Sequence, residues 1–201
     1  ITELRIQNAR YANPLTLLPG NVPLSKEIDR RLADNSVFQV LYFDLNHFKP
    51  YNDVYGYHQG DLIIKWFARL LQNTFCKPSH YVGHIGGDDF IVIATEEDVA
   101  SLPLDNLKHF FMNEINDFYR SEHLESGGII ARARDGRFQR FPILDYSVGV
   151  VIVTPGSIHS HQEVATLAAD LKGQAKRSKN GIAVRQSHSI QVTQHRAHQI
   201  S

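Results

Sequence analysis

The chain has 201 residues, 42% of them hydrophobic, enough for one globular domain with a packed core. Its formal net charge of +0 removes the electrostatic case for a nucleic-acid partner or for direct contact with an acidic membrane. The single cysteine, Cys76, excludes an intrachain disulfide framework and fits a reducing, cytoplasmic setting, and no apolar run approaches the roughly 18–20 residues of a membrane span.

In chain order, residues 1–12 read as a linker helix from an upstream region, because Ile1 to Tyr11 looks amphipathic and the chain opens on Ile rather than Met. Asn13 to Asn21 is a structured turn, since two prolines and a glycine forbid a helix there. Ser25 is a candidate N-cap for a helix reaching about Leu32. Val37 to Phe43 is apolar enough for a buried strand and ends at Asp44. Asn46 to Val54 reads as a short helix and turn. A longer helix is predicted over about Gln59 to Asn73, with Leu62, Ile63, Trp66, Phe67, Leu70 and Leu71 on one face.

Tyr81 to Ile85 and Asp89 to Ala94 are the arms of a hairpin. Pro103 to Tyr119 is predicted helical, with Leu107, Phe110, Phe111, Ile115 and Phe118 inward. Gly127 to Phe141 carries two strand-like arms around Asp135-Gly136. Asp145 to Val153 is a strong strand, Glu163 to Arg177 the last helix, and Ile182 to Val184 a short final strand. Residues 13–185 form the expected domain, and residues 186–201 a flexible, polar, His-rich tail. Strands and helices alternate, so the expected class is α/β or α+β around one sheet.

The chemistry concentrates in Gly86-Gly87-Asp88-Asp89-Phe90. Glycines tolerate positive φ and let backbone approach a ligand, and carboxylates at such a turn suit a hard divalent cation beside a phosphate. Asp44 ends a buried strand at the rim of the sheet, where ligands of open sheets collect. If the two strands are neighbours, Asp44 meets Asp88 and Asp89, and a bound cation relieves their repulsion. From the acids alone, three separate solvated turn residues are an equal reading. The eleven histidines show no zinc-site spacing.

Phe43-Asp44-Leu45-Asn46-His47-Phe48-Lys49-Pro50-Tyr51-Asn52-Asp53-Val54-Tyr55-Gly56-Tyr57-His58-Gln59-Gly60-Asp61, followed by Gly86-Gly87-Asp88-Asp89-Phe90, resembles the GGDEF domain of diguanylate cyclases. Asn13-Pro14-Leu15-Thr16 through Asn21 resembles the family's opening motif, Ser147-Val148-Gly149-Val150 its late core strand, and Ala175-Lys176 with Lys179-Asn180 its C-terminal basic motif. The resemblance implies a five-stranded, mostly antiparallel sheet wrapped by helices, like the palm of nucleotidyl cyclases and some polymerases. It also implies a homodimer that condenses two GTP into cyclic di-GMP, and Mg²⁺ or Mn²⁺ as cofactor. A second implication is a GTP-binding regulatory module joined to an upstream regulatory domain or to a cyclic di-GMP phosphodiesterase (EAL) domain.

By the same resemblance, Asp44, Asp88 and the backbone carbonyl of Leu45 hold the metal. Asp88 and Asp89 are the catalytic acids, Asp89 assisting metal binding or proton removal. Asn52 and Asp61 read guanine. Phe48, Lys49, Gly86 and Gly87 approach the phosphates, and Lys176 and Lys179 neutralise them from the far side. The chain departs from the family pattern at Asp89 (usually Glu), Asn46 (usually Asp), Tyr57 (usually His) and His84 (usually Arg). Lys77-Pro78-Ser79-His80 stands where the family often carries an Arg-x-x-Asp product site, and lysine cannot make arginine's bidentate contact. Feedback inhibition through that site is not expected.

Overall fold

The computed structural model describes residues 10–95, 102–133 and 135–187. The expectation of a linker helix falls mostly on residues outside these, and so does nearly all of the expected tail. Among the described residues, no helix is long and apolar enough to cross a membrane.

The first element after the opening turn is α1 (Asn21–Ala33), followed by β1 (Phe38–Asn46), α2 (Phe48–Tyr55) and α3 (Tyr57–Thr74). The hairpin β2 (Tyr81–Gly86) and β3 (Asp89–Ala94) comes next. Helix α4 (Leu104–Glu114) runs into a 3₁₀ turn over Ile115–Phe118, and α5 (Ser121–Glu125) follows. The chain finishes with β4 (Ile129–Arg132), β5 (Phe138–Phe141), β6 (Asp145–Val153), α6 (His161–Ala175) and β7 (Ile182–Gln186).

Five strands form one sheet in the order β2-β3-β1-β6-β7, antiparallel throughout except for the parallel β6–β7 pair. This is the expected α+β palm-like architecture. The strands β4 and β5 form the expected hairpin, but as a separate two-stranded sheet.

Strand alternation sorts β1 into two cores. Leu41, Phe43 and Leu45 pack with Ile63 and Phe67 of α3 and Leu107 and Phe111 of α4. Phe38 and Val40 pack on the opposite face with Leu24 and Ile28 of α1 and Val164, Ala168 and Leu171 of α6. Phe43, fully buried, meets the rings of Phe67, Phe75 and Tyr146 within 6.3 Å. Burying such a side chain stabilises the fold by roughly 2–3 kcal/mol.

Four expectations are corrected. Helix α1 starts at Asn21 with Gly20 as its cap, so Ser25 is interior. Pro23 is tolerated because first-turn N–H groups lack helical partners anyway. Strand β1 continues through Asp44 to Asn46, which pairs with Asp145, so Asp44 lies inside the ladder and not at its end. Leu62 of α3 and Phe110 of α4 are exposed, while Ile64 takes a core place on α3. The last helix begins two residues early, at His161, because the Ser160 hydroxyl accepts from the Glu163 N–H.

Candidate active site

The period of two that buries Phe43 under α3 turns Asp44 toward α6. On β3, Phe90 and Val92 join the first core and Ile91 and Ile93 the second, so Asp89 also lies on the α6 face. Asp44 and Asp89 are register partners. Asp88 stands in the turn beside them, where Gly86 (φ 155°) and Gly87 (φ 57°) adopt backbone angles that side chains disfavour. Carboxylate oxygens of Asp44, Asp88 and Asp89 lie within 4.8 Å of one another.

Burial, and then the neighbouring Asp44, push the Asp88 carboxyl above its ordinary range. Lys172 in the last turn of α6 and Lys176 at its C-cap answer this negative charge. Lys172 donates to Asp89 Oδ1 at 2.7 Å and stands 3.2 Å from Asp44 Oδ1. Lys176 is 2.6 Å from the buried Asp44 Oδ2, as an ion pair without hydrogen-bond alignment. Despite its burial, Lys172 is held above the usual lysine range by Asp89 and Asp44. Gly149 of β6 lets α6 approach this closely, because a Cβ there would lie 2.6 Å from the Lys172 backbone nitrogen.

Beside the cluster opens a cavity of about 670 Å³, lined by Leu45 to Pro50, Asp88, Lys176 and the β4–β5 hairpin residues Arg132, Asp135, Gln139 and Phe141. The first turn of α2 therefore borders the cavity, and its unpartnered N–H groups suit an anion. Lys49 lines the wall, with its ammonium paired to Asp53 at 2.8 Å. Burial and then Lys176 hold the His47 imidazole below its ordinary range.

Of the residues expected from sequence, Asp44, Leu45, Phe48, Lys49, Gly86, Gly87, Asp88, Asp89 and Lys176 gather at this cavity and its hairpin. Asn52 and Asp61 do not line it. Asn52 Oδ1 is buried without a hydrogen-bond donor, and α3 passes it at Gly60, where a Cβ would lie 1.9 Å from that oxygen. Asp61 is the next residue of α3 and is exposed. Lys179 lies in a neighbouring cavity of about 500 Å³ with Asp105, Lys108 and Asp145, which Lys176 also borders.

Sequence reasoning missed Lys172, Arg132 and Gln139. Lys172 was readable only as the residue one helical turn before Lys176. The hairpin residues carried no signal, since nothing in the chain told which side of the sheet that hairpin folds against.

His84 supports the turn from below. Its ring stacks on Phe90 at 4.2 Å. Nε2 lies 2.9 Å from the Gly87 carbonyl, which can only accept, so Nε2 carries the proton and Nδ1 accepts from the Thr16 hydroxyl at 3.0 Å. Burial depresses its pKa.

The family model described as "Diguanylate cyclase, GGDEF domain" matches residues 12–124. The bifunctional diguanylate cyclase/cyclic di-GMP phosphodiesterase MucR of Pseudomonas aeruginosa is 32% identical over 99 residues, 47% of this chain and 14% of that protein. The diguanylate cyclase DgcP of the same organism is 30% identical over 102 residues, 48% of this chain and 15% of that protein. The chain thus spans only about a seventh of the length of these relatives. The crystal structure of the coiled coil and GGDEF domain of DgcB from Caulobacter crescentus, in complex with c-di-GMP, has the same fold. Its TM-score is 0.66 over 92% of this chain and 90% of that one, at 19% identity.

Proposed function

Since the chain belongs to the GGDEF domain family of diguanylate cyclases, we propose that it binds GTP with Mg²⁺ or Mn²⁺. We propose further that, as a homodimer, it condenses two GTP into cyclic di-GMP and two pyrophosphates. The observation that carries this reading is the convergence of Asp44, Asp88 and Asp89 within 4.8 Å, beside a cavity large enough for a nucleotide.

The donor set fits a hard divalent cation, because all three side chains offer carboxylate oxygens and the buried Asp44 Oδ2 has no aligned donor. Asp44, Asp88 and the Leu45 carbonyl would hold the ion. Bound there, it would neutralise charge developing on the α-phosphate and lower the pKa of the attacking ribose 3′-hydroxyl. The remaining work falls to the protein. The amides of Phe48 and Lys49 at the start of α2 hold the terminal phosphates, and Lys176 neutralises them from α6. Gly86 and Gly87 keep the hairpin backbone close to the nucleotide. Asp89 is the second acid, positioned to accept the hydroxyl proton.

Asn52 and Asp61 select guanine. A carboxylate accepting from the N1–H and the exocyclic amine rejects adenine, whose edge would leave it unpaired. Each domain carries one GTP, and the hydroxyl that attacks it belongs to the GTP of the partner domain. This is why a homodimer is required. Lys179, in the adjoining cavity, is available to the phosphates only if the chain beyond α6 turns toward them.

The direct test is incubation of the protein at high concentration with GTP and Mg²⁺, with product read by mass spectrometry and Asp88→Ala as control. A second reading is a regulatory module that binds GTP without turnover inside a longer chain, attached to an upstream or EAL phosphodiesterase domain. It is favoured by the lysines seated on the carboxylates. Micromolar GTP binding with no product would select it.

A further inference from the structure

The acidic cluster already contains cations, and the two are not equivalent. Lys176 has 44% of its side chain exposed and borders the cavity, so its ammonium is free to follow an arriving phosphate. Lys172 is only 20% exposed and does not line that cavity. Its ammonium has three neighbours. It donates to Asp89 Oδ1, stands 3.2 Å from Asp44 Oδ1, and lies 4.6 Å from the Tyr42 ring centroid. The backbone that carries Lys172 is pressed against Gly149, which fixes the depth at which the ammonium sits.

We propose that Lys172 is a resident counter-cation of the cluster and a positioning residue for the reaction. It holds Asp89 in an ion pair, away from the divalent ion, and its charge weakens the hold of Asp44 on that ion without displacing Asp44 as a ligand. The metal is therefore held by Asp44 and Asp88, more weakly than three free carboxylates would hold it. The physical reason is charge. Three carboxylates within 4.8 Å attract a divalent ion far more strongly than the same group with one ammonium already between two of them. The device also stabilises the metal-free protein, because Asp44 and Asp89 would otherwise face each other as like charges on paired strands. This proposal rests on the reading above that the cluster takes a divalent ion.

The test is titration of Mn²⁺ alone, without nucleotide, into the wild type, Lys172→Met, Lys172→Gln and Lys172→Arg, with free Mn²⁺ followed by paramagnetic resonance. Melting temperatures are recorded with and without the ion. Lys172→Gln keeps a donor for Asp89 without the charge and covers the case in which the methionine variant fails to fold. The expected result is Mn²⁺ affinity at least about tenfold tighter in the two uncharged variants and within about threefold of wild type in Lys172→Arg. The uncharged variants should also melt lower without metal and recover with it. Binding in the uncharged variants that equals or falls below a measurable wild-type affinity, with native circular dichroism, overturns this proposal alone. Absence of Mn²⁺ binding in every variant overturns it together with the metal site.

Discussion

Asp44 and Asp89 stand opposite one another as register partners on antiparallel strands, and a single ammonium, that of Lys172, contacts both. Like charges so placed destabilise a sheet unless something neutralises them. The fold therefore carries an electrostatic strain at its acidic turn that helix α6 offsets, and substitutions there should reveal both sides of that balance.

Among the described residues, no lysine pairs directly with Asp88 as Lys172 does with Asp89, and the charge of Lys176 offsets burial and Asp44 only in part. Its raised pKa means that the fold gains stability when this carboxyl is protonated and loses it as pH rises through the folded-state value. Asp88→Asn should therefore raise the melting temperature of the metal-free protein at pH 7, by about 0.5–1 kcal/mol in stability. The gain should vanish toward pH 3. A destabilised Asp88→Asn at neutral pH would show that the ionised carboxylate is a structural partner. Thermal melts across that pH range decide it.

The sign is opposite for His84. Burial lowers its folded-state pKa below the ordinary 6.5, so the stability it supports is complete above about pH 6.5 and is lost on acidification below that. His84→Ala should cost roughly 2–3 kcal/mol at pH 8, since it removes a stacked ring and leaves the Gly87 carbonyl without its donor. Denaturant melts between pH 5 and 8 should show a flatter acid limb in the variant. Parallel pH profiles would mean that His84 does not titrate in this way.

Two glycines on either side of the α6–sheet contact should respond in opposite directions. Gly149→Val drives a side chain into the backbone of Lys172 and the Leu171 Cβ, and should cost more than about 2 kcal/mol. Gly173→Ala meets nothing within 4 Å and lies in the last turn of α6, so it should stabilise by up to about 1 kcal/mol. Equal effects in urea melts would refute the packing argument.

Base selection should depend on Asp61. Asp61 is exposed, so Asp61→Ala should leave the melting temperature within about 1 °C. It should cut the preference for GTP over ATP by at least about tenfold, which is the effect of leaving a base edge unpaired. Competitive nucleotide binding measures this, and an unchanged preference would remove Asp61 from base recognition.

Much of this site was legible because it depends on local patterns. The apolar run ending at Asp44 specifies a buried strand, and two glycines before two acids specify a tight turn. Their juxtaposition then follows from antiparallel pairing. What depends on long-range packing was not legible. Lys172 lies on a helix whose pattern says which face is buried, but not that this face crosses the acidic end of β1. Phe110 and Leu62 fit the helical period of apolar residues, yet they remain exposed, because that period alone does not tell how wide a stripe of each helix the rest of the fold covers. Ser25 looked like a cap because such residues favour that role, but Gly20 after the Ala12–Pro19 bridge starts the helix earlier.

The central claim is that Asp44, Asp88 and Asp89 form the centre of a GTP-condensing site. Its most direct test is mass spectrometry of wild type and Asp88→Ala after incubation with GTP and Mg²⁺ at high protein concentration. The account predicts cyclic di-GMP and pyrophosphate from the wild type and none from a folded Asp88→Ala. Absence of product from a wild type shown to be dimeric, or equal product from both proteins, would contradict it.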